Sequence, residues 1–170
     1  MENLLNQNQQ ILTQLSKIKL LSLDVDGVLT DGGIFYSEDG SISRKFNVKD
    51  GVGIKRIIKI GIKVAIISAG VSGSIPSRAA TLGITHVFTG VNDKRSVLEN
   101  LSKDLKIDLE NSAHIGDDIN DLELFKIIGF PIAVADAQPE VLDAAKIITQ
   151  KKGGQGAVRE ICDALIQSSV

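Results

Sequence analysis

A single cysteine, Cys162, leaves the chain without a disulfide partner and without the cysteine cluster of a zinc site. Its expected place is as a small apolar filler on a late helix, and such usage fits a reducing compartment, the cytoplasm. No apolar run approaches the ~18–20 residues needed to span a bilayer. The opening residues, MENLLNQNQQILTQLSKIK, hold neither a basic leader nor a clean apolar stretch, so neither export nor a membrane span is expected. Basic residues are scattered: 19 Lys and Arg stand against 21 Asp and Glu, a net charge of -2, with none of the cationic runs a phosphate backbone demands. Nucleic acid is therefore excluded as a partner. A GxxxxGK loop is missing, which leaves ATP use unsupported, and no Pro-, Gly- or Ser-rich linker or internal repeat divides the chain.

What is there reads as an ordinary globular protein. Hydrophobic residues make up 43% and charged residues 24% of 170, enough for one core and too apolar for disorder. Leu4, Ile11, Leu15 and Ile18 recur at helical spacing, which predicts an amphipathic helix over 1–18 packed on the body of the protein, with docking of a partner as its other use. The rest, 19–170, is expected to be a single domain.

From Lys19 onward, short apolar runs alternate with longer helical patterns. LLSLD opens as a buried strand. Gly33 to Phe46 alternates around Asp39-Gly40, the signal for a β-hairpin projecting from the domain. A helix from about Gly51, the strand KVAIIS, a helix at Ser74 to Leu82, the strand HVFTG and a helix from Asp93 to Leu105 follow. Then come SAHIGD, a helix at Asn120 to Ile128, PIAVA, a helix from Gln138, KIIT, and a closing helix from about Gly156. The alternation implies an α/β, Rossmann-like, three-layer fold with a mostly parallel sheet and helices on both faces.

In such sheets the ligand sits beyond the carboxyl ends of the strands. The residues there are Asp24 and Asp26, Ser68, Lys94, and Asp117, Asp118 and Asp121. Asp24 and Asp26, two apart on extended backbone, point the same way. Five carboxylates at one edge repel one another unless a cation lies among them, and oxygen ligands without Cys or His suit Mg²⁺. Phosphoryl transfer needs a nucleophile, charge on the phosphoryl oxygens and a proton donor for the leaving group. A carboxylate can attack phosphorus to give an aspartyl-phosphate, a second acid can serve the leaving oxygen, and Lys94 and the Ser68 hydroxyl can bind the phosphoryl oxygens.

DVDGVLTDG, Ser68, Lys94 and GDDINDLEL, in that order, resemble the four motifs of the haloacid dehalogenase superfamily phosphatases. The resemblance implies that Asp24 is the nucleophile and Asp26 the general acid/base. Ser68 and Lys94 would bind phosphate, and Asp117 would complete the Mg²⁺ site with Asp24 and the Asp26 main-chain carbonyl. Asp118 and Asp121 would support that shell or cap the helix starting near Asn120. The 41 residues between Asp26 and Ser68, and the 25 between Ser68 and Lys94, leave no room for a separate cap domain. The hairpin's edges could instead pair with another subunit, so a homo-oligomer, expected to be a tetramer, would wall each site.

FNVKDGVGI, AVADAQPEV and GGQGAVREICD further resemble the capless subfamily that includes 3-deoxy-D-manno-octulosonate 8-phosphate phosphatase. That likeness implies a phosphorylated eight-carbon keto sugar acid as substrate, on the route to lipopolysaccharide, and a homotetramer with a glycine-rich tail over a neighbouring site. Lys49, Asp50 and Arg159 become candidates near the sugar or the subunit contact, or else a solvated pair and a surface residue. One departure stands out: the subfamily more often follows its Ser or Thr with Gly-Arg, and here Ser68 is followed by Ala69 and Gly70, so that position offers no guanidinium. A nine-carbon relative such as an N-acylneuraminate 9-phosphate is the alternative substrate. A phospho-aspartate receiver domain is the alternative of another class, disfavoured because receivers lack a second acid two residues beyond the phosphorylated one. His86 and His114, beside apolar strands, read as structural, and Gly153, Gly154 and Gly156 as a flexible turn.

Overall fold

The computed structural model describes residues 13–169. Leu4 and Ile11, and with them most of the expected first helix, lie outside the described residues. Residues 13–15 are helical, and Leu15 and Ile18 are buried in the core.

β1 (Leu20–Leu23) is apolar but for Ser22 and buried along its whole length, as a strand covered on both faces must be. It lies in a six-stranded sheet with β4 (Lys63–Ile67), β5 (His86–Phe88), β6 (Ser112–Gly116), β7 (Phe130–Ala133) and β8 (Ile147–Ile148), in the order β5-β4-β1-β6-β7-β8. Every pairing in it is parallel. The chain winds outward from β1 through β4 to β5, returns to the other side of β1 at β6, and winds outward again. That reversal makes the β1–β6 edge the place where loops part and a ligand can enter.

The helices that carry the crossovers start where their sequences allow. α1 (Val48–Lys59) begins after Asn47, whose side chain accepts a hydrogen bond from the Lys49 amide. α2 (Ser74–Leu82) ends on Gly83 in the left-handed conformation, and α3 (Lys94–Leu105) starts after Asp93, which caps the Ser96 amide. α4 (Leu122–Phe125) and α5 (Pro139–Ala144) are short, and α6 (Ala157–Ser168) closes the fold against α1.

The hairpin is present between β1 and α1 as β2 (Phe35–Tyr36) and β3 (Ile42–Ser43), antiparallel, turning at Gly40. Among the described residues no cap domain interrupts the chain. The helical pattern over 120–128 is not realised as one helix: those residues divide into a 3₁₀ turn (Ile119–Asp121), α4 and an irregular exit. The Asp118–Asp121 capping box sets the start, and the end is drawn off by the Gly129 amide bonding to Leu109 O at 2.9 Å.

Candidate active site

Register alone brings the acidic residues together. Leu23 pairs with Ile66 on β4 and with Ile115 on β6, so the next residue, Asp24, is level with Ile67 and Gly116, and Ser68 and Asp117 lie one step beyond. They line a cleft of about 160 Å³ formed by Asp24, Asp26, Ser68, Ala69, Gly70, Asp117, Asp118 and Asn120. A larger hollow, about 410 Å³, opens between Gln14, Lys17 and Lys146 at the amino end of β7, away from these carboxylates.

Asp24 is buried. One of its oxygens accepts from the Val25 amide at 2.7 Å and the other from Lys94 Nζ at 2.7 Å. Burial, then the charge of Asp121, raises its pKa above the ordinary carboxylate value, against the pull of Lys94. Lys94, at the first turn of α3, also reaches Asp121 Oδ1 at 2.7 Å. Burial depresses its pKa, but the charges of Asp24 and Asp121 outweigh this and hold it above its usual value, so it stays an ammonium.

Asp121 is the hub of the shell. Its Oδ1 meets both Lys94 and His114 Nε2, the latter at 3.0 Å, and its Oδ2 accepts from the Asp117 amide at 3.0 Å. Burial acts to raise its pKa, but hydrogen bonding and charge from His114, with Lys94, pull it well below the carboxylate range. His114 lies opposite Ser22 across the β1–β6 ladder, and the Ser22 hydroxyl is 2.8 Å from Nδ1 but 3.2 Å from Ala113 O. Because an ionised carboxylate can only accept, the bond to Asp121 Oδ1 is donated by His114 Nε2–H. His114 is thus a buried structural residue, as its strand position suggested, but it braces the site, a role its sequence context does not signal. Asp121 thus bonds Lys94 and also takes part in the capping box. Asp118 is exposed and accepts from the Ile119 amide.

Asp117 differs from its neighbours. Its Oδ1 is buried and has no hydrogen-bond partner. Burial first, then the charges of Asp24, Asp121 and Asp118, push its pKa up to about 8. Carboxylate oxygens of Asp24, Asp117 and Asp121 lie within 4.8 Å of one another. An orphaned buried oxygen facing other carboxylates, with no Cys or His ligand, is the donor set of a hard divalent cation. Asp121 is fully buried behind the cleft, whereas Asp24 and Asp117 line it and are the carboxylates that could hold the ion. Gly27 makes the approach possible: at φ +85°, its Cβ would lie 2.0 Å from Asp117 Oδ2.

Ser68 is buried; its hydroxyl accepts from the Gly70 amide at 3.1 Å, leaving its proton for a ligand. The Asp26 side chain is 28% exposed toward the cleft, and Arg44 of the hairpin holds both its oxygens, a residue that sequence reasoning missed. The glycine-rich segment is not a free turn: the Gly154 amide donates to Val28 O at 3.0 Å, Asn47 Nδ2 donates to Gly154 O at 3.0 Å, and the Gly153 amide donates to Asp136. It braces its own chain's Asp24–Thr30 loop. Asp50 is buried rather than solvated and accepts from the Arg159 amide at 2.8 Å in the first turn of α6, while Lys49 is exposed. Neither lines the cleft.

Comparison with known proteins agrees with this geometry. A family model for haloacid dehalogenase-like hydrolases matches residues 79–161. The chain is 42% identical over 156 residues to 3-deoxy-D-manno-octulosonate 8-phosphate phosphatase KdsC of Escherichia coli (strain K12), covering 92% of this chain and 83% of that protein. The crystal structure of the Yersinia pestis phosphatase of the same name superposes with a TM-score of 0.93 at 40% identity, covering 95% of this chain and 87% of that one. The Moraxella catarrhalis phosphatase, solved in complex with magnesium ion, phosphate ion and a KDO molecule, superposes with a TM-score of 0.91 at 38% identity, covering 95% and 93%. Sequence identity and a fold shared over nearly the whole chain with these enzymes lead to one conclusion: the chain belongs to the haloacid dehalogenase-like hydrolases, on the branch of the 3-deoxy-D-manno-octulosonate 8-phosphate phosphatases, and is a phosphatase.

Proposed function

We propose that this phosphatase hydrolyses 3-deoxy-D-manno-octulosonate 8-phosphate with Mg²⁺, through a phosphorylated Asp24, on the route to lipopolysaccharide. The observation that carries the reading is the pairing of buried Asp24 with Lys94 beside the orphaned Asp117 oxygen. The substrate follows from the named relatives, one of which was solved with magnesium, phosphate and KDO.

Asp24, Asp117 and the main-chain carbonyl of Asp26 would hold Mg²⁺, which supplies charge to draw the phosphoryl group in and to neutralise it as it transfers. In the first step an Asp24 carboxylate oxygen bonds to phosphorus as the phosphorus–sugar oxygen bond breaks, and Asp26 gives its proton to the departing alkoxide. In the second, water attacks the same phosphorus, Asp26 takes its proton back, and the Asp24–phosphorus bond breaks to release inorganic phosphate. Lys94 donates to Asp24 and offers a fixed positive charge, while the Ser68 hydroxyl donates to a phosphoryl oxygen. Asp121 and Asp118 act behind these groups, Asp121 by fixing Lys94 and Asp118 by starting the 3₁₀ turn.

A second substrate reading, an N-acylneuraminate 9-phosphate or a related nine-carbon sugar acid, is favoured by Ala69 and Gly70 standing after Ser68, where the subfamily more often carries Gly-Arg. A panel of phosphorylated sugar acids compared by kcat/KM, with and without Mg²⁺, separates the two. The eight-carbon keto acid should rank first and EDTA should stop turnover; a preference for the nine-carbon esters would shift the assignment, and a single phosphorylation without turnover would restore the receiver alternative. The reading further places the enzyme in the cytoplasm as a homotetramer. The exposed Ile34, Phe35 and Tyr36 of the hairpin support subunit contact there, and an active monomer in light scattering would refute it.

A further inference from the structure

Arg44 follows β3 and turns inward, unlike its exposed neighbours Ser43 and Lys45. Its side chain is 2% exposed. Its Nε donates to Asp26 Oδ1 at 2.7 Å and its Nη2 to Asp26 Oδ2 at 3.0 Å, a two-pronged pair that only a guanidinium can make. Its Nη1 donates to Ser72 Oγ, which lies 2.8 Å from Ser74 Oγ at the start of α2. Among the described residues no other side chain hydrogen-bonds the Asp26 carboxylate.

Gly70 completes the arrangement. A Cβ there would lie 2.9 Å from Arg44 Nη2, 2.9 Å from Asp26 Oδ2 and 3.4 Å from Ser68 Oγ. The guanidinium therefore fills the space above Gly70, beside the serine that faces the cleft, and the hairpin delivers into the site a group that the loop after β4 does not carry. Each Asp26 oxygen keeps a second lone pair toward the cleft, so the pair fixes the carboxylate without blocking it.

We propose that Arg44 is the positioning residue of Asp26: its two parallel hydrogen bonds fix the plane and reach of the carboxylate, so that an oxygen meets the bridging atom of the leaving group. This rests on the reading of Asp26 as the general acid/base. Proton transfer requires the donor within ~2.6–3.2 Å of its target, and a displacement of about 1 Å can reduce a rate ~100-fold. Released from Arg44, the Asp26 side chain rotates about χ1 and χ2 and loses that register.

The test uses the full-length enzyme with Mg²⁺ and reads kcat/KM, which reports the steps up to phosphoryl transfer onto Asp24. Two esters are compared: an alkyl phosphate, whose alkoxide needs a proton as it leaves, and p-nitrophenyl phosphate, whose phenolate does not. Asp26→Asn calibrates the assay and should depress the alkyl ester at least ~100-fold more than the aryl ester. Arg44→Gln should show the same selectivity, about 10–100-fold, and Arg44→Lys, with a point charge in place of the fork, should recover only part of it. Gly70→Ala, whose Cβ would lie 2.9 Å from both Arg44 Nη2 and Asp26 Oδ2, displaces the pair as a unit and should shift selectivity in the same direction, and Arg44→Lys remains the informative variant if Arg44→Gln folds poorly. If the Arg44 and Gly70 variants lower both esters equally, or neither, while Asp26→Asn stays selective, Arg44 does not position Asp26 and the role of Asp26 stands. If Asp26→Asn is itself unselective, the acid/base reading falls and the role of Arg44 falls with it.

Discussion

Lys94 Nζ lies 2.7 Å from Asp24 Oδ2 although the two are 70 residues apart in the chain. The contact joins the residue that follows β1 to the one that opens α3. Its surroundings are nearly dry, and the Lys94 and Asp24 side chains are 2% and 7% exposed. A charge in such a place is tolerated only with its partners.

Lys94→Met, which keeps the length of the side chain and removes the charge, should therefore leave Asp24 and Asp121 facing one another unneutralised. The expected loss is about 3–5 kcal/mol in urea unfolding, with turnover at or below about a hundredth of wild type. Unchanged stability would show that the two carboxylates are not held apart by this ammonium.

Gly27 is where the chain must pass under Asp117. Gly27→Ala adds a Cβ 2.0 Å from Asp117 Oδ2 at a backbone φ of +85°, so Asp117 has to move. Magnesium titrated calorimetrically into the protein should bind about 10–100-fold more weakly than to wild type. Wild-type affinity in Gly27→Ala would remove Asp117 from the cation site.

Asp117 also dictates a pH dependence. Its pKa in the fold is raised from 3.8 to about 8, so without cation the folded protein holds this proton more tightly than the unfolded chain does. The sign follows from linkage: stability in EDTA is greatest at low pH as far as this group is concerned, and it declines as pH rises between about 4 and about 8. Melting temperatures across that window should fall in EDTA, fall less with Mg²⁺, and flatten in Asp117→Asn. A wild-type profile that coincides with that of Asp117→Asn would contradict the burial argument.

Much of this was legible in the chain itself, because strand ends are local. The apolar runs closed by Asp24, Ser68 and Asp117 place those residues at one edge once the sheet is parallel, and the βα alternation implies that it is. The hairpin was marked by Asp39-Gly40. What escaped sequence reading depends on contacts between distant segments. Arg44 looks like any surface cation on a polar hairpin, and only the folding of the hairpin over the loop after β4 turns it toward Asp26. His114 reads as a strand filler until β6 lies beside β1 and sets it opposite Ser22. Asp50, which beside Lys49 could pass for half of a solvated pair, is buried because α6 lays its first turn on it. The glycines at 153 and 154 suggest freedom, whereas they are small so that the last loop can press on Gly27 and Thr30. The pattern over 120–128 carries helical periodicity, but the Gly129 amide is claimed by Leu109 O.

The central claim is that Asp24 carries the phosphoryl group, and trapping is its most direct test. Enzyme quenched in acid during steady turnover of 3-deoxy-D-manno-octulosonate 8-phosphate with Mg²⁺, then digested and mapped by mass spectrometry, should show phosphate on the peptide at Asp24. Asp24→Asn should show neither that adduct nor turnover. Phosphate found on another residue, or an Asp24→Asn enzyme that still releases phosphate, would contradict the account.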